Sequence, residues 1–181
     1  MASCLRMDQL PSPPRVSPWL VLRATVWSLL FAGTVVGYVP WRFFGVWRAP
    51  IRFASPVHIL GLAALVVGTY LMFACIREFA RRGRGTPAPM DPPRELVVHG
   101  PYRYVRNPMY LGATLALIGE LLLAFSPAFL GYAITWFVAV SLLVVAYEEP
   151  TLREKFGESY VRYTRRVRRW LPSFRRRDND G

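Results

Sequence analysis

The sequence has little of the residue types that metal sites and disulfides need. Its 181 residues include two cysteines, Cys4 and Cys75, and two histidines, His58 and His99. These four residues form neither a disulfide framework nor the spacing of a zinc site. No glycine-rich phosphate loop followed by lysine is present, and no Gly-x-Ser-x-Gly motif. We therefore set aside metal, phosphate-loop and serine-triad chemistry.

Lysine and acidic residues are also scarce. The sequence contains one lysine, Lys155, and 22 arginines, and its net charge is +12. Charged residues make up 19% of the sequence and hydrophobic residues 53%, which excludes a mainly disordered chain. A basic chain of this size could bind nucleic acid. However, residues 128–147 contain no Asp, Glu, Lys, Arg or His, and 20 such residues cross a hydrocarbon core of about 30 Å. The sequence therefore predicts an integral membrane protein without a nucleic-acid partner.

Four apolar runs predict an all-α, multi-pass transmembrane helical bundle with about four crossings: residues 19–39, 57–76, 109–125 and 128–147. Ser126 and Pro127 leave almost no loop between the last two, which predicts a tight hairpin. The third run is short, so it is either little tilted or shielded by its neighbours. The expected organisation is a flexible leader over 1–18, a membrane domain over 19–172 and a disordered tail over 173–181.

Arginines orient the chain in the membrane. Seven lie between residues 77 and 106, nine lie with Lys155 between residues 153 and 177, and none lies at the hairpin tip. The positive-inside rule then places both termini in the cytoplasm, and we expect a bacterial inner membrane. The loop 41–55 falls outside, where its aromatic residues predict a segment along the lipid surface.

A further helix is expected over residues 151–169. Leu152, Phe156, Tyr160, Tyr163 and Val167 recur on one helical face, with arginines elsewhere. This pattern predicts a basic amphipathic helix at the cytosolic membrane surface, which Gly157 could interrupt. One interpretation is that the helix only anchors the chain to anionic lipid.

Two stretches are candidates for a binding site. The first is LVVHGPYRYVRNPMYLG over residues 96–112, in which Gly100-Pro101 predicts a turn and Asn107-Pro108 a helix start with Asn as N-cap. Capping alone does not explain the surrounding side chains of Tyr102, Tyr104, Arg106 and Tyr110, which suit a flat polar ligand.

The second candidate is Glu148-Glu149, at the end of the last apolar run. Adjacent helix positions point about 100° apart, so one carboxylate can face the bundle and the other water or arginine. The predicted topology places both stretches at one membrane face, which favours a shared cytosolic-side pocket. Glu120 inside the third run is a further functional candidate, whereas His99 is assigned to loop packing.

Together these stretches resemble the isoprenylcysteine carboxyl methyltransferase family and its phospholipid methyltransferase relatives. The resemblance covers residues 86–172 in five ordered motifs: Gly100-Pro101-Tyr102, Arg106-Asn107-Pro108-Met109-Tyr110-Leu111-Gly112, Glu148-Glu149-Pro150-Thr151-Leu152, Phe156-Gly157-Glu158-Ser159-Tyr160 and Leu171-Pro172. It implies a membrane enzyme that uses S-adenosylmethionine, with no catalytic residue or metal assigned. It also implies cofactor contacts from Arg94, Glu95, Leu96, Val97, Tyr102, Asn107, Pro108, Met109, Tyr110 and Glu148.

Two positions depart from the family pattern. Asn107 replaces a common histidine but can still cap a helix and form hydrogen bonds. Val144 occupies a position at which the prenylcysteine enzymes have a substrate-linked arginine, which weakens the case for a prenylcysteine carboxylate.

The acceptor and two alternative functions stay open. A lipid or another apolar acceptor is expected, and a prenylcysteine carboxylate, a phospholipid amine and a small thiol all occur among lookalikes. A similar Arg-x-Pro-x-Tyr-x-Gly motif occurs in NADPH-dependent sterol reductases, which are much longer chains. The other alternative is a non-enzymatic membrane anchor or assembly protein.

Overall fold

The computed structural model describes residues 18–48, 55–82 and 96–173. Over these residues the protein is all-helical, as predicted, without a β-strand. Five α-helices form it: α1 Pro18–Ala32, α2 Pro56–Arg82, α3 Pro108–Ala124, α4 Pro127–Leu143 and α5 Glu149–Arg166. The predicted leader up to residue 17 and the tail from residue 174 lie outside the described residues.

Helix α3 is the centre of the bundle. Nine of its 17 residues are buried, which agrees with shielding by neighbours as the reason for its short apolar run. It packs along α2 through Gly61 and Gly68 of α2 and Gly112 and Gly119 of α3. A Cβ atom on Gly68 would lie 2.5 Å from the carbonyl oxygen of Gly112, so the two backbones approach as closely as glycine permits. Small residues at a helix interface are a common packing device in membranes.

The helix that covers the apolar run predicted over residues 19–39 does not stay α-helical after α1. The α-helix widens into π-helix over Gly33–Tyr38 and Pro40–Phe44, and Gly45 ends it with a positive φ of 60°. Trp41 and Phe43 are exposed, as a lipid-surface segment requires. Phe44, in contrast, turns inward, and its ring lies 5.3 Å from that of Phe129.

Helices α4 and α5 are joined without a break. Ser126 caps α4 by accepting a hydrogen bond from the Phe129 amide at 3.3 Å, and a π-helical turn, Val144–Glu148, leads directly into α5. The helix expected over residues 151–169 spans Glu149–Arg166, so it begins two residues earlier, with Pro150 in its first turn, where the missing N–H is tolerated. The expected interruption at Gly157 is present as a kink with φ 52° and ψ −127°.

Two helical stretches in the described residues have the length and hydropathy to cross a membrane, Pro56–Glu78 and Pro127–Arg166, while Pro108–Ala124 is shorter. In both, only 28% of the apolar window is buried inside the protein. Their outward surfaces carry large apolar side chains such as Phe73 and Leu142, which are more than half exposed. Such surfaces suit hydrocarbon rather than water.

Candidate functional site

The loop before α3 is folded tightly against the end of α2. Gly100 adopts a positive φ of 57°, and a Cβ at this position would lie 3.1 Å from the Glu78 carboxylate. A short 3₁₀ turn follows over Gly100–Arg103, with Pro101 in its first turn. The predicted turn at Gly100-Pro101 is thus present, and it places Tyr102 and Arg106 on the approach to α3.

Asn107 occupies the N-cap position of α3 with Pro108 directly after it, as the sequence predicts. The Asn107 side chain does not cap the helix. Instead its amide group donates to the backbone oxygen of Arg169 at 3.4 Å. The side chain therefore connects the start of α3 to the segment that follows α5.

Tyr110 and Glu148 are in direct contact. The Tyr110 hydroxyl donates a short hydrogen bond to Glu148 Oε1, which joins the first turn of α3 to the end of the π-turn. Tyr110 belongs to a buried apolar cluster with Val140 and Val144, and Trp170 packs against that cluster. Val144, which stands where the prenylcysteine enzymes have an arginine, is thus a buried apolar side chain beside Tyr110. This contact brings the two predicted stretches together at one end of the bundle.

Glu149 points away from Glu148 and toward arginines, as the 100° spacing predicts. Its carboxylate accepts two hydrogen bonds from Arg169, at 2.7 Å from Nε and 2.9 Å from Nη2. Arg106 Nη1 lies 3.1 Å from the same carboxylate. The bond to Glu149 raises the pKa of Arg169 above its usual value, so this guanidinium stays charged. One carboxylate therefore holds two cations from different segments.

Arg106 has an unused donor. Its side chain is 13% exposed, and its Nε atom is buried without a hydrogen-bond partner among the described residues. A buried, charged N–H group without an acceptor is costly, so this donor is available to an anionic group.

Tyr102 is held from two sides. The Tyr163 hydroxyl of α5 donates to the Tyr102 backbone oxygen at 2.6 Å, and the Tyr102 side chain forms a hydrogen bond with Cys75. Burial raises the pKa of Tyr102 well above its usual value, and the neighbouring Cys75 adds to the shift.

For the other residues predicted to contact the cofactor, the structure gives the degree of burial. Leu96 and Val97 are partly buried in an extended segment before the loop, and Met109 is partly buried in the first turn of α3. Arg94 and Glu95 lie outside the described residues. His99 is exposed.

Glu120 is separate from this cluster. It lies twelve residues after Pro108, about 18 Å further along α3, so it belongs to the opposite half of the helix. It is fully buried, and neither carboxylate oxygen has a hydrogen-bond partner among the described residues.

The sequence did not point to the residues after α5 that complete the site. Arg169 binds Glu149, Trp170 covers the cluster around Tyr110, and Ser173, which was assigned to the tail, donates its amide to Tyr104 at 2.8 Å. The only signal for this segment was the Leu171-Pro172 motif. Arginine was abundant enough that no single one stood out.

A groove of about 410 Å³ runs beside Glu149 along the junction of the π-turn and α5. Val145 lines one part of it, and Arg153 and Glu154 line another. The groove thus offers apolar and charged surface within a few residues of the carboxylate pair.

Comparisons with known proteins identify the region that carries these features. The phospholipid methyltransferase family matches residues 56–159, which include α2, the loop, α3, α4 and the carboxylate pair. The chain is also 42% identical over 64 residues to an uncharacterised protein of Haemophilus influenzae; the match spans 35% of this chain and the whole of that relative.

Proposed function

We propose that this chain, which belongs to the phospholipid methyltransferase family, is an integral membrane methyltransferase that uses S-adenosylmethionine and acts on a lipid or another apolar acceptor. Family membership and the two apolar helices agree with a membrane protein. The observation that carries the proposal is the contact between Tyr110 and Glu148, which joins the two motifs into one site.

The residues present fit the functional groups of the cofactor. The Glu148 carboxylate suits the ammonium group of its amino-acid end, and the unused Arg106 Nε–H suits its carboxylate. Tyr102 and Tyr110 offer ring faces for the nucleoside, since their hydroxyl groups are already bonded to Cys75 and Glu148. When bound, S-adenosylmethionine supplies a methyl group on a cationic sulfur, which makes the methyl carbon electrophilic.

The protein then has mainly to position the reactants. Tyr110 holds the Glu148 carboxylate in place, and the apolar wall of Val140, Val144 and Trp170 keeps water from that side. A carboxylate or thiolate acceptor needs no base, whereas an amine must lose a proton, and Glu148 is the carboxylate nearest the site that could receive it.

The groove beside Glu149 supports an amphiphilic acceptor. Val145 is about half exposed where the apolar run ends, so it can contact an alkyl chain. Arg153 and Glu154 lie eight and nine residues further on, slightly more than two turns, and can contact a polar head. We place the acceptor in this groove, with a prenylcysteine carboxylate, a phospholipid amine or a small thiol as the chemical classes to be tested.

The proposed topology has about four crossings with both termini and the site in the cytoplasm of a bacterial cell. Helix α5 is the amphipathic helix of that arrangement. Its first turns begin about 33 Å after Pro127, at 1.5 Å per residue, which is one membrane thickness. Its arginines then lie among the head groups of the inner leaflet.

Calorimetric titration of the purified protein in nanodiscs tests the cofactor. S-adenosylmethionine should bind to the wild type, and Glu148→Gln and Tyr110→Phe should weaken binding by about tenfold or more, because each loses a charged hydrogen bond. Glu158→Gln and Tyr70→Phe are matched controls at exposed positions. Binding of NADPH instead, or equal affinity in all variants, refutes the proposal.

A radiolabelled methyl donor identifies the acceptor. The enzyme is incubated with the donor and a total lipid extract, and the products are separated by chromatography. Label in an aminophospholipid, a prenylated cysteine or a small thiol distinguishes the three classes. No transfer to any of them, together with no cofactor binding, would favour an anchor or assembly role.

A further inference from the structure

The segment after α5 returns across the loop before α3. We refer to residues 167–173 as the C-terminal clasp. Its backbone pairs with the loop: the Arg106 amide donates to the Arg168 oxygen at 2.9 Å, and the Ser173 amide donates to the Tyr104 oxygen at 2.8 Å. An isolated parallel bridge joins Val105 to Arg168.

The clasp lies over the proposed cofactor residues. Trp170 packs against the cluster of Tyr110, Val140 and Val144, and its ring centroid is 5.4 Å from that of Phe137. The backbone oxygen of Arg169 accepts from Asn107, the residue at which α3 begins. The clasp follows residue 159, where the family match ends, so its role does not follow from that match.

Glu149 is the charged link between the clasp and the rest of the site. Its side chain is only 14% exposed and binds Arg169 of the clasp and Arg106 of the loop. Without this negative charge, the two guanidinium groups would lose the carboxylate to which both bind in the described part of the chain. Repulsion and the cost of unpaired buried charge would then separate the two segments.

We propose that the C-terminal clasp closes the cofactor site and that Glu149 is the positioning residue that fastens it. Glu149 acts through Arg106 and Arg169 and does not itself touch the cofactor, in contrast to Glu148. Through Arg106 it also fixes the direction of the unused Nε–H group, which faces the cofactor in the proposed function on which this inference rests.

Hydrogen–deuterium exchange tests the clasp without any cofactor. The variant Glu149→Gln keeps the shape of the side chain and removes its charge, and Glu158→Gln is the exposed control on the same helix. We expect exchange at the Arg106 and Ser173 amides to rise by about tenfold or more in Glu149→Gln, the change that corresponds to losing one charged hydrogen bond. Exchange within α2 and α3 should stay unchanged, which also shows that the variant is folded.

Binding kinetics test the link to the site. In Glu149→Gln the dissociation rate of S-adenosylmethionine should rise by about tenfold relative to wild type. Arg169→Lys keeps the charge but loses the two-point bond to Glu149, so its dissociation rate should lie between those of wild type and Arg169→Gln. A double variant of Glu149→Gln and Arg169→Gln should be far from additive.

Three outcomes overturn the inference. Wild-type exchange at the clasp in Glu149→Gln shows that Glu149 does not fasten it. Faster exchange with an unchanged dissociation rate shows that the clasp does not close the site. If the wild type itself does not bind S-adenosylmethionine, the proposed function fails and this inference fails with it. If the wild type binds and either of the first two outcomes is found, only this inference fails and the proposed function stands.

Discussion

Replacing Gly68 with alanine tests the packing that holds α2 against α3. The added Cβ would lie 2.5 Å from the Gly112 oxygen and 2.6 Å from the Ala116 nitrogen. Both are backbone atoms of a buried helix, so no side chain can rotate away. The helices would have to separate by about 0.9 Å at this point to restore ordinary van der Waals contact. Overpacking of this kind costs about 1–3 kcal/mol.

The opposite sign is expected at Gly131. This glycine lies in α4, and a Cβ there would meet nothing within 4 Å. Alanine favours a helix over glycine by about 0.5–1 kcal/mol, so Gly131→Ala should stabilise. The two substitutions are chemically identical and differ only in what surrounds them, which makes Gly131→Ala a matched control.

The assay is thermal unfolding in one detergent or nanodisc preparation. For a chain of this size, 1 kcal/mol shifts the Tm by roughly 2–4 °C. Gly68→Ala should therefore lower the Tm by several degrees, whereas Gly131→Ala should raise it slightly. If Gly68→Ala raised the Tm as much as Gly131→Ala, the close contact of α2 and α3 would be refuted.

Three further substitutions test individual contacts by the same assay. Glu120→Leu should raise stability by about 1–3 kcal/mol, because it removes two buried oxygens that have no partner among the described residues. A lower Tm would contradict the absence of a hydrogen-bond partner for this carboxylate. Thr114→Val should cost about 1–2 kcal/mol, since Thr114 Oγ accepts from Trp136 at 3.2 Å. Its control is Thr135→Val, which loses only an exposed bond within α4, and equal effects would deny the Trp136 bond. Phe125→Gly should stabilise by about 0.5–1 kcal/mol because Phe125 has a positive φ of 48°; a fall in Tm would show that the exposed ring contributes more than the strain costs.

Local signals in the sequence carried much of the fold. The positions of α3 and α4 agree with the apolar runs to within four residues, because Asn107-Pro108 and Ser126-Pro127 are strong helix starts. Helix α2 extends to Arg82, six residues past its apolar run. Hydropathy marks where a helix is apolar and not where it ends, so a charged continuation is invisible to it.

Contacts between distant segments were harder to predict from the sequence. The hairpin predicts that the stretches carrying Tyr110 and Glu148 lie close together, whereas the hydrogen bond between these two side chains is a finding of the structure. The glycines that pack α2 on α3 recur seven residues apart in each helix. This spacing is present in the sequence, but it does not show by itself which two helices pack together. The bond of Glu149 to Arg169 depends on a chain reversal after α5, and no local pattern distinguishes Arg169 from the other arginines nearby.

In the proposed topology, the unbroken passage from α4 into α5 couples the proposed cofactor site to the thickness of the membrane. When the hydrocarbon layer thins, a helix of fixed length that crosses it accommodates the mismatch by tilting, which is one of the responses open to it. That tilt is carried through the π-turn to the two carboxylates, because no flexible joint separates them from the apolar half. Lipid chain length would therefore alter how deep the proposed cofactor site lies in the membrane.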